Sequence, residues 1–150
     1  MHPVREQMNA ALKAVTVPRL RKLGFTGSFP HLRRVRGDCV DLVVFQFNKY
    51  AGSFVVEIAF LTAEEAKSHW SGALKLAGAT VYDAKKRYRL GAAQGHDHWV
   101  VFGKQNDEPN HEVVEPPYVY ERIASHAADL IEGEGTSWWS GPLKKHLPTD

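Results

Sequence analysis

Apolar residues recur at helical spacing near both ends of the chain and at strand spacing between them. The first helical stripe comprises Met8, Ala11, Leu12 and Val15. This spacing predicts an amphipathic helix at the start of the chain. Pro18 lacks an N–H and its ring would clash with the preceding turn, so we expect a kink or restart near residues 14–18. The stripe then resumes, and Gly24 is the natural left-handed stop.

The middle of the chain alternates in the manner of β-strands and is rich in Val, Phe and Ile. We predict three antiparallel strands at about residues 29–36, 39–47 and 54–61, because turn-forming residues separate these three runs. The second strand is apolar on both faces, which is typical of a central strand covered on each side. Glu57 places a carboxylate on the otherwise mostly apolar third strand.

A helix start is the clearest local signal in the chain. Thr62-Ala63-Glu64-Glu65 has the form of a capping box, in which the first and fourth residues exchange hydrogen bonds. An apolar stripe follows it and predicts a helix that ends at Gly78. Trp70 is the largest residue of that stripe, so we expect its ring to anchor the helix in the core.

The remaining pattern predicts a second hairpin, with strands at about residues 81–90 and 98–102, and a last helix. That helix enters at Pro116-Pro117 and ends at Gly133. We expect residues 136–150 to be a loosely packed tail. The predicted fold is α+β, a single domain over residues 1–150 with a mainly antiparallel sheet of about five strands packed with three helices.

The composition agrees with such a domain: 150 residues, 43% of them hydrophobic, can bury a core without metal or disulfides. Cys39 is the single cysteine, which excludes an intrachain disulfide and fits a reducing compartment. The N-terminal residues carry charges where a signal peptide needs an apolar run, and no apolar stretch approaches a membrane span. We therefore expect a cytoplasmic protein.

The net charge of +2 conceals two segments of opposite sign. Residues 1–36 hold eight basic residues and one acidic residue, whereas residues 106–135 hold eight acidic residues and one basic residue. The two segments either pack side by side and neutralise each other or form separate patches for a charged partner. We favour the first arrangement because charged surfaces are common and their fields are screened within about 10 Å.

Candidate chemistry is sparse. His96 and His98 lie two residues apart and, on a strand, would point the same way, so they could share a metal ion in a metal-dependent hydrolase. No third ligand is evident at a metal-binding spacing, and we expect no cofactor. Cys39 lacks the sequence context of a catalytic cysteine and is better interpreted as a packed residue. No nucleotide-binding motif or catalytic residue is evident.

Two basic runs and a tryptophan pair are the candidate binding residues. The runs comprise Arg33, Arg34 and Arg36, and Lys85, Lys86 and Arg87, and the pair is Trp138 and Trp139. Clustered cations near aromatic rings suit nucleic acid. The near-neutral total charge and the acidic final third of the chain disfavour that partner, so basic, solvated strand faces are the simpler interpretation.

Several short motifs give the chain a resemblance to a known family. They are Leu23-Gly24-Phe25 at a helix end, Leu32-Arg33-Arg34, Phe45-Gln46, and later Arg89-Leu90-Gly91 and Asp97-His98-Trp99. In this order they resemble the bacterial family of domain of unknown function 4304, over roughly residues 8–102. Phe47-Asn48-Lys49 departs from the Lys-Ser-like pair that the family tends to place there. The resemblance implies an α+β bacterial intracellular domain and supplies no catalytic residue.

These observations favour a non-enzymatic protein-interaction module, immunity-like or regulatory, whose partner is another protein. Opposite charge patches and Trp138-Trp139 offer material for such an interface. The metal-dependent hydrolase at His96 and His98 and nucleic-acid binding through the basic hairpins remain the alternatives. No membrane association is expected.

Overall fold

The structure is a computed structural model that describes residues 2–91, 98–104 and 113–140. Its helices are α1 (Pro3–Ala11), α2 (Val17–Lys22), α3 (Ala63–Lys67), α4 (Pro117–Leu130) and α5 (Thr136–Ser140). Its strands are β1 (Thr26–Ser28), β2 (His31–Arg36), β3 (Cys39–Phe47), β4 (Ser53–Thr62), β5 (Arg87–Arg89) and β6 (Val100–Val101). This architecture confirms the predicted α+β fold. No described helix combines the length and the apolar character needed to cross a membrane.

The strands form one antiparallel sheet in the order β1-β2-β3-β4-β5, with β6 also paired to β4. The pairing of β3 with β4 runs from Cys39 opposite Thr62 to Phe47 opposite Phe54. The predicted three-stranded meander is therefore confirmed, with β2 beginning at His31 and a short β1 added beside it.

The predicted second hairpin is wrong. Both β5 and β6 pair antiparallel with β4, through Tyr88 opposite Ile58 and Val100 opposite Phe54. The cause is the length of β4, since a ten-residue strand leaves more unpaired backbone groups on its free edge than the three-residue β5 satisfies. Residues 81–83, expected in a strand, instead form a 3₁₀ turn that Thr80 and Asp83 cap.

The sheet has two covered faces, each with its own core. The first, here called the long-helix face, packs against α1, α2, α4 and α5, and its buried strand residues are Leu32, Val43, Phe45, Phe54, Val56, Ile58 and Val100. The second, the short-helix face, is covered by α3 and two 3₁₀ turns, and its buried strand residues are Val40, Leu42, Val44, Ala59 and Leu61. The expectation that β3 is covered on both sides is confirmed.

The capping box is present, but the helix behind it is short. Thr62 Oγ1 accepts from the Glu65 N–H at 3.1 Å, and Glu65 Oε1 accepts from the Thr62 N–H at 3.0 Å. The helix ends at Lys67, because Ser68 turns its hydroxyl back onto the Glu64 carbonyl and the polar residues beyond favour turns. Trp70 is 87% exposed, so its predicted role as a core anchor is wrong.

The interruption predicted before Pro18 takes the form of a π turn over Leu12–Thr16. The Val17 N–H donates to the Leu12 carbonyl, five residues back, and α2 then begins with Pro18 in its first turn. Proline is tolerated there because the first-turn N–H groups have no intrahelical acceptor. The buried Thr16 hydroxyl donates to the Ala124 carbonyl of α4 at 2.7 Å, which ties the π turn to the C-terminal helix.

The last helix does not end at Gly133. A second π turn, Ile131–Gly135, carries it into α5. Trp138 and Trp139 are 3% and 1% exposed, so residues 136–140 are well packed and the predicted loose tail is wrong for them. Residues 141–150 lie outside the described residues. Residues 136–140 are well packed because the two large indole rings bury far more apolar area against the sheet in a helix than they would in a free tail.

Arg19 joins the basic N-terminal segment to the acidic C-terminal segment. Its Nε lies 3.0 Å from Glu132 Oε2 and its Nη2 lies 2.6 Å from Asp129 Oδ1. These hydrogen bonds from Arg19 hold the pKa of Glu132 below its ordinary value. At this contact the two oppositely charged segments neutralise each other, as the favoured arrangement required.

Arg19→Gln should lower the free energy of unfolding by about 0.5–1 kcal/mol at pH 7, since this network is only partly buried. A carboxylate whose pKa is lower in the folded than in the unfolded protein stabilises the fold at pH values above the unfolded-state pKa. This stabilisation is lost as the pH falls through the folded-state pKa. The difference in the free energy of unfolding between variant and wild type should therefore shrink as the pH falls from 7 to 3. Urea denaturation at both pH values measures it, with the exposed Arg122→Gln as control. An equal difference at pH 7 and pH 3 would contradict the ionic origin.

Candidate interaction face

A cluster of aromatic and basic side chains lies on the short-helix face of the sheet. We call it the aromatic-basic face, and it comprises His31, Arg33, His69, Trp70, Tyr82 and Arg87. Three elements supply it: β2, the loop after α3, and the segment from the second 3₁₀ turn to β5. Strand alternation explains the contribution of β2, because His31 and Arg33 project to this side whereas Leu32 projects into the core of the long-helix face.

Trp70 is exposed, and both ring nitrogens of its neighbour His69 lie close to polar groups. The Ser71 N–H donates to His69 Nδ1 at 3.2 Å, and His69 Nε2 lies 3.0 Å from Asp83 Oδ1. The ring centroids of His69 and Trp70 are 5.3 Å apart. The loop that presents the indole is thus held by a histidine whose orientation is set before any partner arrives.

Tyr82 is the second exposed ring, and a pair of neighbours positions it. Its ring contacts His31 edge-on at 5.7 Å, and the Arg87 guanidinium lies 5.4 Å from its centroid. Arg87 also donates to the Tyr82 and Ala84 carbonyls at 3.1 and 3.2 Å. These contacts fix the arginine along the turn that carries the tyrosine.

Asp83 connects the two exposed rings. Its Oδ2 accepts from the Thr80 N–H at 2.8 Å, which caps the 3₁₀ turn bearing Tyr82, while Oδ1 faces His69 beside Trp70. One carboxylate therefore braces both loops. The sequence-based candidates did not include His69, Trp70, Tyr82 or Asp83. The contact of His69 with Asp83 depends on tertiary folding, and the Trp70 ring was expected in the core.

The face has a basic character. Arg33 lies two residues after His31 on the same face of β2 and donates to the Ala79 carbonyl at 2.8 Å, and Lys85 and Lys86 are exposed directly before Arg87. Burial, followed by the positive charge of Arg33, lowers the pKa of His31. Arg33, Lys85 and Lys86 supply the positive potential of the face, whereas the charge of Arg87 is partly neutralised by Glu57, whose Oε1 lies 4.0 Å from Arg87 Nη1.

The predicted run Arg33, Arg34 and Arg36 does not act as one cluster. Arg34 and Arg36 project to the long-helix face and bind the fully buried Asp41. Arg34 Nη2 lies 2.9 Å from Asp41 Oδ2, and Arg36 Nη2 lies 2.9 Å from Oδ1. Hydrogen bonding to Asp41 raises the pKa of Arg36. Two of the three predicted binding arginines therefore belong to an ion-pair network that holds the sheet together.

Trp138 and Trp139 are core residues, so the prediction that this pair offers an interface is wrong. Trp138 stacks on Tyr88 with centroids 5.9 Å apart, and Trp139 Nε1 donates to the Ala59 carbonyl at 2.9 Å. Both rings lie between α5 and the sheet. Two described tryptophans are exposed, Trp70 at 87% and Trp99 at 37%, and Trp70 is the one more accessible to a partner.

The metal prediction finds no supporting cluster in the described part of the chain. His96 lies outside the described residues, and His98 contacts His126 of α4 with ring centroids 6.0 Å apart. Among residues 2–91, 98–104 and 113–140, no group of three or more histidine, cysteine or acidic side chains could hold a metal ion.

The motifs behind the family resemblance have structural roles here. Gly24 adopts φ +100° and turns the chain so that the Phe25 side chain is buried. The Arg34 guanidinium covers the Phe25 ring at 4.6 Å from the ring centroid. Gly91 adopts φ +90°, and a Cβ at that position would overlap the His98 imidazole. These residues shape the fold rather than a reactive centre.

Comparison with known families agrees with the resemblance. The family model described as domain of unknown function 4304 matches residues 16–115, two-thirds of the chain. Comparison with the curated proteins and with the solved structures finds no match.

Proposed function

The chain belongs to the family of domain of unknown function 4304, and we propose that it is a non-enzymatic protein-interaction module whose aromatic-basic face binds an acidic partner protein. The observation that carries this proposal is Trp70, with 87% of its surface exposed on a braced loop. A large exposed indole is unfavourable in water unless something covers it, and the His69–Asp83 contact joins its loop to the turn that carries the exposed Tyr82 ring.

The residue types of the face are those that dominate binding energy in protein interfaces. Tryptophan, tyrosine and arginine are enriched among the few residues whose truncation costs 2 kcal/mol or more. His69, Asp83 and Arg87 already hold both loops, so binding would lose little side-chain entropy. A preformed face of this kind favours rigid docking.

The charge of the face indicates the partner's chemistry. Arg33, Lys85, Lys86 and Arg87 are basic, and a complementary surface would carry acidic side chains. Nucleic acid is the weaker partner class because Arg34 and Arg36 are turned away toward Asp41, which leaves fewer clustered cations for phosphates. An immunity-like or regulatory role fits a module of this type.

We also propose a bacterial cytoplasmic location for the module. The resemblance to the family supports it, and so does Cys39, because a single cysteine cannot form an intrachain disulfide.

Trp70→Ala should abolish capture of the partner while leaving the domain folded. Affinity capture from a lysate of the native source, at low and moderate salt, should recover a partner with the wild type and with Tyr118→Ala. Tyr118 is a matched control because its ring is also exposed, on α4 at the other side of the sheet. With the purified partner, Trp70→Ala should weaken binding about thirtyfold or more, and salt should weaken wild-type binding.

The stability of Trp70→Ala should stay within about 0.5 kcal/mol of the wild type, as for other surface substitutions, and urea denaturation checks this. Equal retention of the captured protein by Trp70→Ala would refute the proposed face. Recovery of no partner at either salt concentration would count against an interaction module altogether.

A further inference from the structure

A groove of about 370 Å³ lies between the first turn of α1, the turn joining β3 to β4, and the segment that follows β6. The side chains that matter for its chemistry are Arg5, Lys49, Tyr50, Phe102 and Lys104. The groove shares no residue with the aromatic-basic face. Its volume is within the range of small-molecule sites.

The backbone holds two walls of the groove in contact. The Gly52 N–H donates to the Lys104 carbonyl at 2.6 Å, and the Phe102 and Gly103 N–H groups donate to the Gly52 carbonyl at 2.9 and 3.0 Å. A Cβ at Gly52 would lie only 2.6 Å from the Gly103 Cα, so this approach requires glycine. Lys49 and Lys104, on either side of this junction, therefore have fixed attachment points in the same groove.

The charged side chains among the described residues that line the groove all have the same sign. Arg5, Lys49 and Lys104 are basic, and none of the described residues that line it is acidic. The Arg5 guanidinium lies 4.4 Å from the Phe47 ring centroid, and its buried Nε has no hydrogen-bond acceptor among the described residues. Three basic side chains along a partly enclosed groove create a positive potential that a small polyvalent anion would satisfy.

An apolar surface adjoins these cations. Tyr50 is 76% exposed at the mouth of the groove, and Phe102 forms part of its wall. We propose that the groove binds a small organic phosphate, with the phosphate against Arg5, Lys49 and Lys104 and the organic portion against Tyr50 and Phe102. A phosphate monoester carries close to two negative charges at neutral pH, and arginine can bind it through two parallel hydrogen bonds.

Isothermal titration of the full chain tests this site. The probes are adenosine monophosphate, glucose 6-phosphate, inorganic phosphate and the uncharged nucleoside adenosine. Both phosphate esters should bind saturably with a dissociation constant below about 10 mM, and adenosine should bind at least tenfold more weakly than its monophosphate. A preference for adenosine monophosphate that Tyr50→Ala removes would identify a nucleotide, whereas equal affinity for both esters would identify the phosphate as the common determinant.

The double variant Lys49→Gln/Lys104→Gln should weaken ester binding at least tenfold, because it removes two charged donors. The matched control Lys22→Gln/Lys67→Gln removes the same charge at exposed positions outside the groove. Thermal denaturation verifies that both variants fold. The proposal is overturned if neither ester saturates below about 10 mM, if the groove variant binds as tightly as the wild type, or if inorganic phosphate binds as tightly as both esters.

Discussion

Trp139→Ala is expected to lower the free energy of unfolding by about 4 kcal/mol, the largest loss we expect from a single substitution in this protein. The ring is 1% exposed, lies 5.3 Å from the Phe25 ring, and is covered by the Arg34 guanidinium at 5.4 Å. Its removal leaves a cavity between α5 and the sheet and deprives the Ala59 carbonyl of its indole donor. Urea denaturation monitored by circular dichroism measures the loss.

Two variants separate the causes of that loss. Trp139→Phe keeps most of the apolar volume but removes the indole N–H, so it should cost less than Trp139→Ala. Trp70→Ala removes an indole of the same size from the surface and should leave stability nearly unchanged. A loss below about 1 kcal/mol for Trp139→Ala would show that α5 does not hold the sheet.

Asp41→Ala is expected to cost about 3 kcal/mol, because it leaves two guanidinium groups without their shared carboxylate. Asp41 is fully buried on β3, and both Arg34 and Arg36 of the neighbouring strand hydrogen-bond to it. Arg34 and Arg36 are partly exposed and can recover some solvation, which keeps the cost below that of a completely enclosed pair. Guanidinium chloride is unsuitable here because its ions screen the network, so urea is the denaturant of choice.

Asp38→Ala is the control for this variant, since Asp38 lies three residues earlier at an exposed turn position. Asp41→Asn keeps the shape of the side chain and should be less destabilising than Asp41→Ala, because the amide oxygen still accepts one hydrogen bond. If Asp38→Ala were as costly as Asp41→Ala, the effect would reflect net charge rather than the buried network.

Features determined by local physics could be predicted from the sequence. The meander followed from strand alternation and turn residues, and the capping box followed from the side-chain chemistry of Thr62 and Glu65. The interruption near Pro18 followed from a missing N–H, although its π form depended on packing against α4. In each case the decisive atoms lie within a few residues of each other.

Features determined by tertiary competition could not be predicted. The apolar stripe after Thr62 predicted a long helix. In the structure, Ala79, Val81 and Ala84 of the later segment occupy much of the core of the short-helix face. Trp70 and Trp139 have the same side chain, but Trp70 lies within a predicted helical stripe whereas Trp139 comes after the predicted end of the last helix. Their opposite burial depends on whether a sheet face is available beside them.

The residues of the candidate site also differ in whether their positions could be predicted from the sequence. The separation of Arg33 from Arg34 and Arg36 was predictable, because strand alternation sends neighbours to opposite faces. The contact of His69 with Asp83 was not, since the two residues lie in different turns and meet only when both pack on β4 and β3. The groove was also hidden, because His2, Arg5, Lys49 and Lys104 come from three distant segments.

The π turn at Leu12–Thr16 sets the rotational phase of the first helix. A π turn is equivalent to one residue inserted into an α-helix, and one residue corresponds to a rotation of about 100° about the helix axis. Deleting a residue there would turn α1 by that angle relative to α2, so that Val4 and Met8 would leave the core and Arg5 would leave the groove. The chemistry at the first turn of α1 therefore depends on a backbone irregularity two turns away from it.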